Sequence, residues 1–173
     1  MCGIIGIASS KPVSMNIISS LKKLEYRGYD SAGLATINKN EISEKKCSGR
    51  VEELEKILFK KPSDGNLGIG HVRWATHGIP NVVNAHPHSS EIVSVVHNGI
   101  IENSDEIKKD LESQGLKFKS QTDTEVITLL ITESLKDNEP LESVFNTLKK
   151  LKGSFALGII FKDYKDIIIG ARR

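Results

Sequence analysis

The alternation of apolar and polar residues divides the chain into short strands and amphipathic helices. The apolar runs of strand length are residues 2–8, 32–37, 67–74, 92–97, 154–161 and 166–171. Apolar residues at helical spacing predict helices that begin near Ser14, Val51 and Ser104, and two more over about 124–136 and 141–151. Strands come in runs and helices in pairs. This order predicts a layered α+β fold and not a doubly wound parallel sheet.

The composition is typical of a single cytoplasmic domain. With 173 residues, 38% of them hydrophobic, the chain has enough apolar material for one packed core. A net charge of +2 disfavours a dedicated nucleic-acid binder, and no run reaches the roughly 20 apolar residues that cross a bilayer. The opening CGIIGIA lacks a basic leader and so is not interpreted as a signal peptide. Two cysteines make no disulfide framework, which indicates a reducing compartment.

Cys2 is the first residue that could carry chemistry. A small residue at position 2 permits removal of the initiator Met, which would leave an α-amine and a thiol on one residue. Their unperturbed pKa values, about 8 and about 8.5, let the amine take the thiol proton directly or through a water. The alternative is a buried or incidental cysteine, and residue 2 alone does not decide between the two. Cys47 has no motif around it and is interpreted as structural or incidental.

Asn98 and Gly99 follow the predicted strand 92–97 and form a second candidate. Attack on an amide creates an oxyanion, and a side-chain amide and a backbone N–H are suitable donors, each contributing about 2.7–4 kcal/mol in known cases. Gly99 would let the backbone approach a substrate closely. An Asn-Gly hairpin turn is the alternative. That alternative is weakened because Ile100 and Ile101 continue the apolar run, but residues 98 and 99 alone do not exclude it.

Arg73 and Asp123 suit an α-amino acid, which presents a carboxylate and an ammonium. The Arg73 guanidinium offers a planar fork to a carboxylate, and Asp123, at a predicted helix start, complements the ammonium. The alternative for Asp123 is a helix cap. Trp74, the only tryptophan, stands at a strand end, where core or interface roles are more common. The Gly- and Pro-containing loop behind it could nevertheless close over a ligand.

The histidines raise the alternative of a zinc site. They are His71, His77, His86, His88 and His97. His86-Pro87-His88 has a suggestive composition, but no second pair stands at metal-ligand spacing. Histidines near a cleft more often donate hydrogen bonds or pack, so no metal is predicted.

Together these residues resemble the class II glutamine amidotransferases, the glutaminases with an N-terminal nucleophile. The matching strings, spread from residue 1 to about 130, are MCGIIG, LKKLEYRGYDSAGLA, GHVRWATHG, NAHPH, VVHNGIIEN and SQTDTEVI. The YRGYDSAG form is similar to the sugar-phosphate branch of the family more than to its relative in purine synthesis. The fold that the resemblance implies is a four-layer αββα sandwich of N-terminal-nucleophile hydrolase type, with two antiparallel sheets between helical layers.

The resemblance implies catalytic and binding roles for five residues. Cys2, after removal of Met1, would be the nucleophile that forms a γ-glutamyl thioester. Asn98 and Gly99 would form the oxyanion hole. Arg73 would bind the α-carboxylate of glutamine, and Asp123 its α-ammonium.

The resemblance implies supporting roles for five more. Trp74, Thr76 and His77 would lie in a loop that covers the substrate, with Thr76 and His77 in contact with it. Arg27 and His86 would support the substrate-contacting residues from behind. No cofactor is implied.

The resemblance also implies a partner. Ammonia would pass to a sugar-phosphate isomerase/synthase domain or subunit that converts fructose 6-phosphate to glucosamine 6-phosphate, with no nucleic-acid or membrane partner. A different acceptor, such as a phosphoribosyl donor or aspartate, and a catalytically silent glutamine-binding module remain open alternatives. Family members run on beyond the equivalent of Arg173, so residues 1–173 are expected to be a glutaminase domain truncated at its C-terminus, as a fragment or a split subunit.

Overall fold

The computed structural model describes residues 2–75 and 78–173. The strands, in chain order, are β1 Gly3–Ala8, β2 Ser31–Asn38, β3 Glu41–Ser48, β4 Leu67–Arg73, β5 His88–Ser89, β6 Val93–Ile101, β7 Gly153–Phe161 and β8 Tyr164–Arg172. The helices are α1 Ser14–Leu24, α2 Val51–Lys60, α3 Ser104–Ser113, α4 Thr124–Ser134 and α5 Pro140–Lys150, and a 3₁₀ turn covers Glu25–Arg27.

The described strands form two antiparallel sheets that lie face to face. Sheet A has the order β1-β4-β2-β3, and sheet B has the order β5-β6-β7-β8. Within sheet A, β4 pairs with β1 on one side and with β2 on the other. Within sheet B, β6 pairs with β5 and β7. These two internal strands contact each other across the sandwich, and the site lies at one end of them.

The helices cover the outer faces of the two sheets, because each has one apolar stripe. Ile17 and Leu21 of α1, and Leu54 and Leu58 of α2, are buried against sheet A. Helices α3, α4 and α5 bury a comparable stripe against sheet B. Burial of such a side chain contributes about 1.5–3 kcal/mol before the entropy cost of ordering. Of the helices in the described part of the chain, none has the length and apolar character to cross a bilayer.

The space between the sheets is a separate apolar layer. Ala35 and Ile69 from sheet A pack there against Val96 and Ile160 from sheet B. Period-2 alternation sends one set of side chains to this layer and the other set to the helices. The layer order is therefore helices, sheet A, sheet B, helices. This confirms the expected α+β, four-layer αββα architecture.

Two strands were not predicted from the hydrophobic pattern. Strand β3, Glu41–Ser48, consists mostly of Glu, Ser and Lys residues. It is an edge strand of sheet A, where charged side chains discourage pairing with other chains, so it carries no continuous apolar signal. Strand β5 is only two residues long, which is too short to show an alternating pattern.

Candidate active site

Cys2 lies just before β1, at the end of the sandwich where β4 finishes. Gly3 is opposite Val72 in the antiparallel pair of β1 and β4, and this register brings Cys2 level with the end of β4. The backbone N–H of Trp74 donates to Cys2 Sγ at 3.2 Å, and the Trp74 carbonyl oxygen lies 3.5 Å from the same sulfur as an acceptor for its S–H. Arg27 Nε–H donates to the Cys2 carbonyl oxygen at 3.0 Å. Arg27 therefore supports the backbone of Cys2.

The environment of Cys2 favours the neutral thiol. Burial raises the pKa of this thiol above its usual value. The Trp74 N–H and the Arg73 charge act in the opposite direction, while the Asp30 carboxylate adds to the rise. Because the thiolate is the nucleophilic form, this thiol could act as a nucleophile only after losing its proton to a base. The backbone groups of Trp74 cannot serve as that base.

Asn98 and Gly99 lie inside β6, whereas the hydrophobic pattern predicted that the strand ends just before them. The strand spans Val93–Ile101 and pairs with β7 throughout. The alternative of an Asn-Gly hairpin turn is therefore wrong. On the opposite side, β5 pairs with β6 only as far as Val95, so no described strand covers the edge of β6 at Asn98 and Gly99. The cavity reaches this edge, where Asp123 lines it, and it also extends over Phe155 and Ala156 of β7.

The backbone N–H of Gly99 points to this uncovered edge. In an antiparallel strand the N–H groups of alternate residues point to the same side. Ile101 N–H points away from β7, because it donates to Asp123 Oδ2 at 2.9 Å, and Gly99 is two residues earlier. Gly99 has a φ of +132°, and a Cβ there would lie 2.1 Å from the Ser154 carbonyl oxygen. The position therefore requires glycine.

Arg73 and Asp123 bring opposite charges to the same cavity, and both are buried. Burial lowers the pKa of Arg73, and the charges of Asp30, Cys2 and Asp123 oppose that fall. Asp123 stands at the position before α4, but its side chain makes no capping hydrogen bond to that helix. Its Oδ2 instead accepts from Ile101 N–H of β6. The interpretation of Asp123 as a helix cap is therefore wrong.

Asp30 is a further carboxylate near the thiol that the sequence analysis did not select. One of its oxygens accepts a hydrogen bond from Ala75 N–H, and the other accepts from the Ser31 hydroxyl at 2.8 Å. Its own N–H donates to the Arg73 carbonyl oxygen at 3.2 Å. Asp30 thus holds the beginning of the loop that follows β4. The available signal was a lone acid in the turn-rich segment 26–33, directly before a buried strand.

Four histidines form a buried cluster: His71, His86, His88 and His97. The rings of His71 and His86 stack with centroids 4.3 Å apart. The Thr124 hydroxyl lies 2.7 Å from His86 Nε2 and 2.9 Å from His97 Nδ1. Burial lowers the pKa of His71 to about 3 and the pKa values of His86 and His88 well below the usual 6.5. These three rings are therefore neutral near neutral pH and serve as hydrogen-bonding groups.

The candidate residues line one cavity of about 470 Å³, a size typical of small-molecule sites. The predicted residues on its wall are Cys2, Arg27, Arg73, Trp74, His86, Asn98, Gly99 and Asp123. Arg172 and Arg173 also line it, and the sequence analysis did not single them out. Thr76 and His77, expected to contact the substrate, lie outside the described residues. Within residues 2–75 and 78–173, no group of three or more His, Cys, Asp and Glu side chains is arranged to hold a metal ion.

Comparison with known proteins assigns the class. The glutamine amidotransferase domain family matches residues 80–173, which is more than half of the chain. The chain belongs to this family. The general chemistry of glutamine amidotransferases is the release and transfer of the amide nitrogen of glutamine. The matched range contains Asn98 and Asp123, whereas Cys2 and Arg73 precede it.

Longer relatives extend the similarity over the whole chain. The chain is 51% identical over 173 residues to the glutamine–fructose-6-phosphate aminotransferase [isomerizing] of Mesorhizobium japonicum, and 47% identical over 173 residues to that of Zymomonas mobilis. Each alignment covers 99% of this chain and 28% of the relative. The chain thus spans less than a third of the length of these curated relatives. The resemblance to the sugar-phosphate branch is confirmed.

Solved structures share the fold. One is a glutamine phosphoribosylpyrophosphate amidotransferase from B. subtilis, with a TM-score of 0.85 and 27% identity over 99% of this chain and 37% of that one. A glutamine aminotransferase class-II domain protein from Silicibacter pomeroyi has a TM-score of 0.62 and 14% identity, over 99% of this chain and 76% of that one. At that identity the second likeness supports the fold alone.

Proposed function

We propose that the chain hydrolyses L-glutamine to glutamate and ammonia, with Cys2 as the nucleophile of an N-terminal-nucleophile glutaminase. One observation carries the proposal. The Cys2 sulfur lies in the cavity whose wall also holds the amide of Asn98, the charge of Arg73 and the charge of Asp123. A nucleophile, oxyanion donors and two opposite charges are what hydrolysis of a γ-amide on an α-amino acid requires.

The charged pair orients the substrate. Arg73 binds the α-carboxylate through its guanidinium fork, and Asp123 binds the α-ammonium. Asp123 keeps its place because Ile101 N–H holds one carboxylate oxygen at 2.9 Å. The carboxamide end of glutamine then lies toward Cys2. Thr76 and His77 remain predicted substrate contacts.

The chemistry requires that Met1 be removed, so that Cys2 carries a free α-amine. This amine takes the S–H proton, the thiolate attacks the side-chain carbonyl carbon, and the carbonyl oxygen becomes an oxyanion held by Asn98 Nδ2 and Gly99 N–H. The amine then returns the proton to the leaving nitrogen, the C–N bond breaks, and ammonia departs. Water attacks the resulting γ-glutamyl thioester, which releases glutamate and restores the thiol. No cofactor enters these steps.

Trp74 covers the mouth of the site. Its backbone touches the Cys2 thiol, while its side chain is half exposed and meets the edge of the Tyr29 ring, with centroids 5.7 Å apart. The loop that begins at Trp74 is expected to close over bound glutamine.

The ammonia passes to a sugar-phosphate isomerase/synthase domain or subunit that converts fructose 6-phosphate to glucosamine 6-phosphate. Identities of 47–51% to relatives named for fructose 6-phosphate support this acceptor. Identity to the phosphoribosylpyrophosphate amidotransferase is only 27%, and this lower value favours the sugar-phosphate acceptor over a phosphoribosyl acceptor. Both Cys2 and Cys47 are free thiols, and a free nucleophilic thiol suits the reducing cytoplasm.

The test compares the two cysteines. Cys2→Ala is expected to abolish glutamate and ammonia formation while glutamine still binds, as measured by calorimetry, because Arg73 and Asp123 remain. Cys47→Ala, a buried position in β3 away from the cavity, is the matched control and should keep the parent kcat. Glutamate production by Cys2→Ala at the parent rate would disprove the proposal. If the parent chain and Cys2→Ala bind glutamine equally well and neither hydrolyses it, the result would favour the silent glutamine-binding module.

A further inference from the structure

His71 reaches across the sandwich from one internal strand to the other. It lies in β4 of sheet A and is fully buried. Its Nε2 is 3.0 Å from the His97 carbonyl oxygen and 3.0 Å from Asn98 Oδ1, both in β6 of sheet B. It is thus a direct side-chain link between β4 and the proposed oxyanion residue.

The protonation state of His71 follows from these partners. A carbonyl oxygen only accepts hydrogen bonds, so the Nε2 that faces His97 O must carry a hydrogen. Burial lowers the pKa of His71 to about 3, so the ring stays neutral near neutral pH. The stacked ring of His86, itself bonded to Thr124 at 2.7 Å, holds the plane of His71 in place. His71 therefore presents one fixed N–H donor to the strand.

That donor decides which end of the Asn98 amide faces the cavity. Asn98 lines the cavity, and its Oδ1 is the atom that His71 holds. With Oδ1 occupied, the Nδ2 end of the amide is left for the substrate. Rotated by half a turn, the amide would aim an oxygen at a developing oxyanion, and two N–H donors would confront each other at His71.

We propose that His71 is a positioning residue that orients the Asn98 amide so that its Nδ2 donates to the oxyanion. This inference rests on the proposed glutaminase function, and specifically on the oxyanion role of Asn98. His71 does not touch the substrate. The same N–H also anchors the carbonyl oxygen of His97, so one group holds both the backbone of β6 and the side chain of Asn98.

The test is a double-mutant cycle in the intact protein. His71→Met keeps about the same side-chain size but has no N–H, whereas His71→Gln restores a donor near the Nε2 position. We expect His71→Met to lower kcat for glutamine hydrolysis about 10- to 100-fold with KM changed less than about threefold, since loss of a whole oxyanion donor costs about 10²- to 10³-fold. His71→Gln should recover at least a tenth of the parent kcat.

The second arm removes Asn98. In an Asn98→Ala background, His71→Met should lower kcat by less than about threefold, because nothing is left to orient. The same loss in both backgrounds would show that His71 acts on folding alone and would overturn the proposal. If His71→Met does not fold by circular dichroism, His71→Gln decides, and a kcat below a tenth of the parent in the folded variant would overturn it. If Asn98→Ala alone keeps the parent kcat, the oxyanion assignment in the proposed function fails instead.

Discussion

Single residues in the cavity are held mainly by the backbone of neighbouring strands. Cys2 Sγ meets the Trp74 backbone, and Asp123 Oδ2 meets the N–H of Ile101. Arg27 reverses the arrangement, since its side chain holds the carbonyl oxygen of Cys2. These backbone partners lie in a strand or directly after one, so the groups that we propose to react are placed before any substrate arrives. Preorganisation of this kind is the main source of oxyanion stabilisation in enzymes.

Arg73→Ala should mainly raise KM for glutamine. In the proposed function the guanidinium binds a carboxylate that carries the same charge in the ground and transition states, so removal of Arg73 should weaken the binding of both equally. Hydrogen bonds to charged groups contribute about 1.5–3 kcal/mol, which corresponds to roughly a 10- to 100-fold rise in KM. Steady-state kinetics measures it, with Arg50→Ala as control, because Arg50 pairs with Glu25 at the surface. A fall in kcat at unchanged KM would refute the assignment of Arg73.

The sequence motifs were sufficient to select residues that line the cavity, but not to identify the hydrogen-bond partners that hold them. Cys2, Arg73 and Asn98 each stood in a recognisable string, and all three line the cavity. His71 stood in one of the same strings without a visible role, because its partner lies on the facing sheet. Asp30 was missed for a similar reason, since its carboxylate bonds Ala75, 45 residues away in the chain.

Pairs of elements bring the distant parts of the site together. The antiparallel pairing of β1 with β4 places Cys2 beside Trp74. The contact of β4 with β6 across the sandwich places His71 against Asn98. In a third close contact, β2 packs against the segment that contains His86 and His88. A Cβ at Gly33 in β2 would lie 2.1 Å from the His86 carbonyl oxygen, so the two backbones touch directly.

Gly33→Ala should destabilise the fold and lower activity. The added methyl must push the His86 segment away, and overpacking of this kind costs about 1–3 kcal/mol of the free energy of unfolding. The matched control is Gly170→Ala in β8, where a Cβ would have no atom within 4 Å. Urea denaturation followed by far-ultraviolet circular dichroism gives both values. Equal stability of the two variants would contradict the close packing of β2 against the histidine segment.

Helices were predicted better than strands because their signal is periodic over more residues. Helix α5, Pro140–Lys150, came within about a residue of the predicted 141–151. Strand β6 was predicted to stop at His97 but continues to Ile101, because polarity at Asn98 and Gly99 was interpreted as the end of a strand. That polarity belongs to the site and not to a chain turn. Local pattern failed at the place where function overrides it.

The whole molecule buries three neutral imidazoles, those of His71, His86 and His88. Such groups make stability depend on pH. His71, His86 and His88 have pKa values below 6.5 in the folded protein, because burial disfavours their charged forms. The unfolded chain therefore binds more protons than the folded chain below about pH 6.5, and stability falls as the pH falls.

The free energy of unfolding should decrease from pH 7 to pH 5.5 by roughly 1 kcal/mol for each of these three histidines, about 3–4 kcal/mol in all. Urea denaturation at pH 7.0, 6.2 and 5.5 measures the change, and values between pH 7 and 8 should be nearly constant. Unchanged or greater stability at about pH 5.5 would mean that the imidazoles are charged in the folded state.

The proposed reaction depends most on the start of the chain, where Cys2 must carry a free α-amine. Mass spectrometry of the intact protein, acid-quenched during turnover of glutamine and then mapped by peptide, tests it most directly. We expect chains without Met1 that carry one glutamyl group, attached at Cys2. A glutamyl group on another residue, or full turnover by chains that retain Met1, would contradict the central claim.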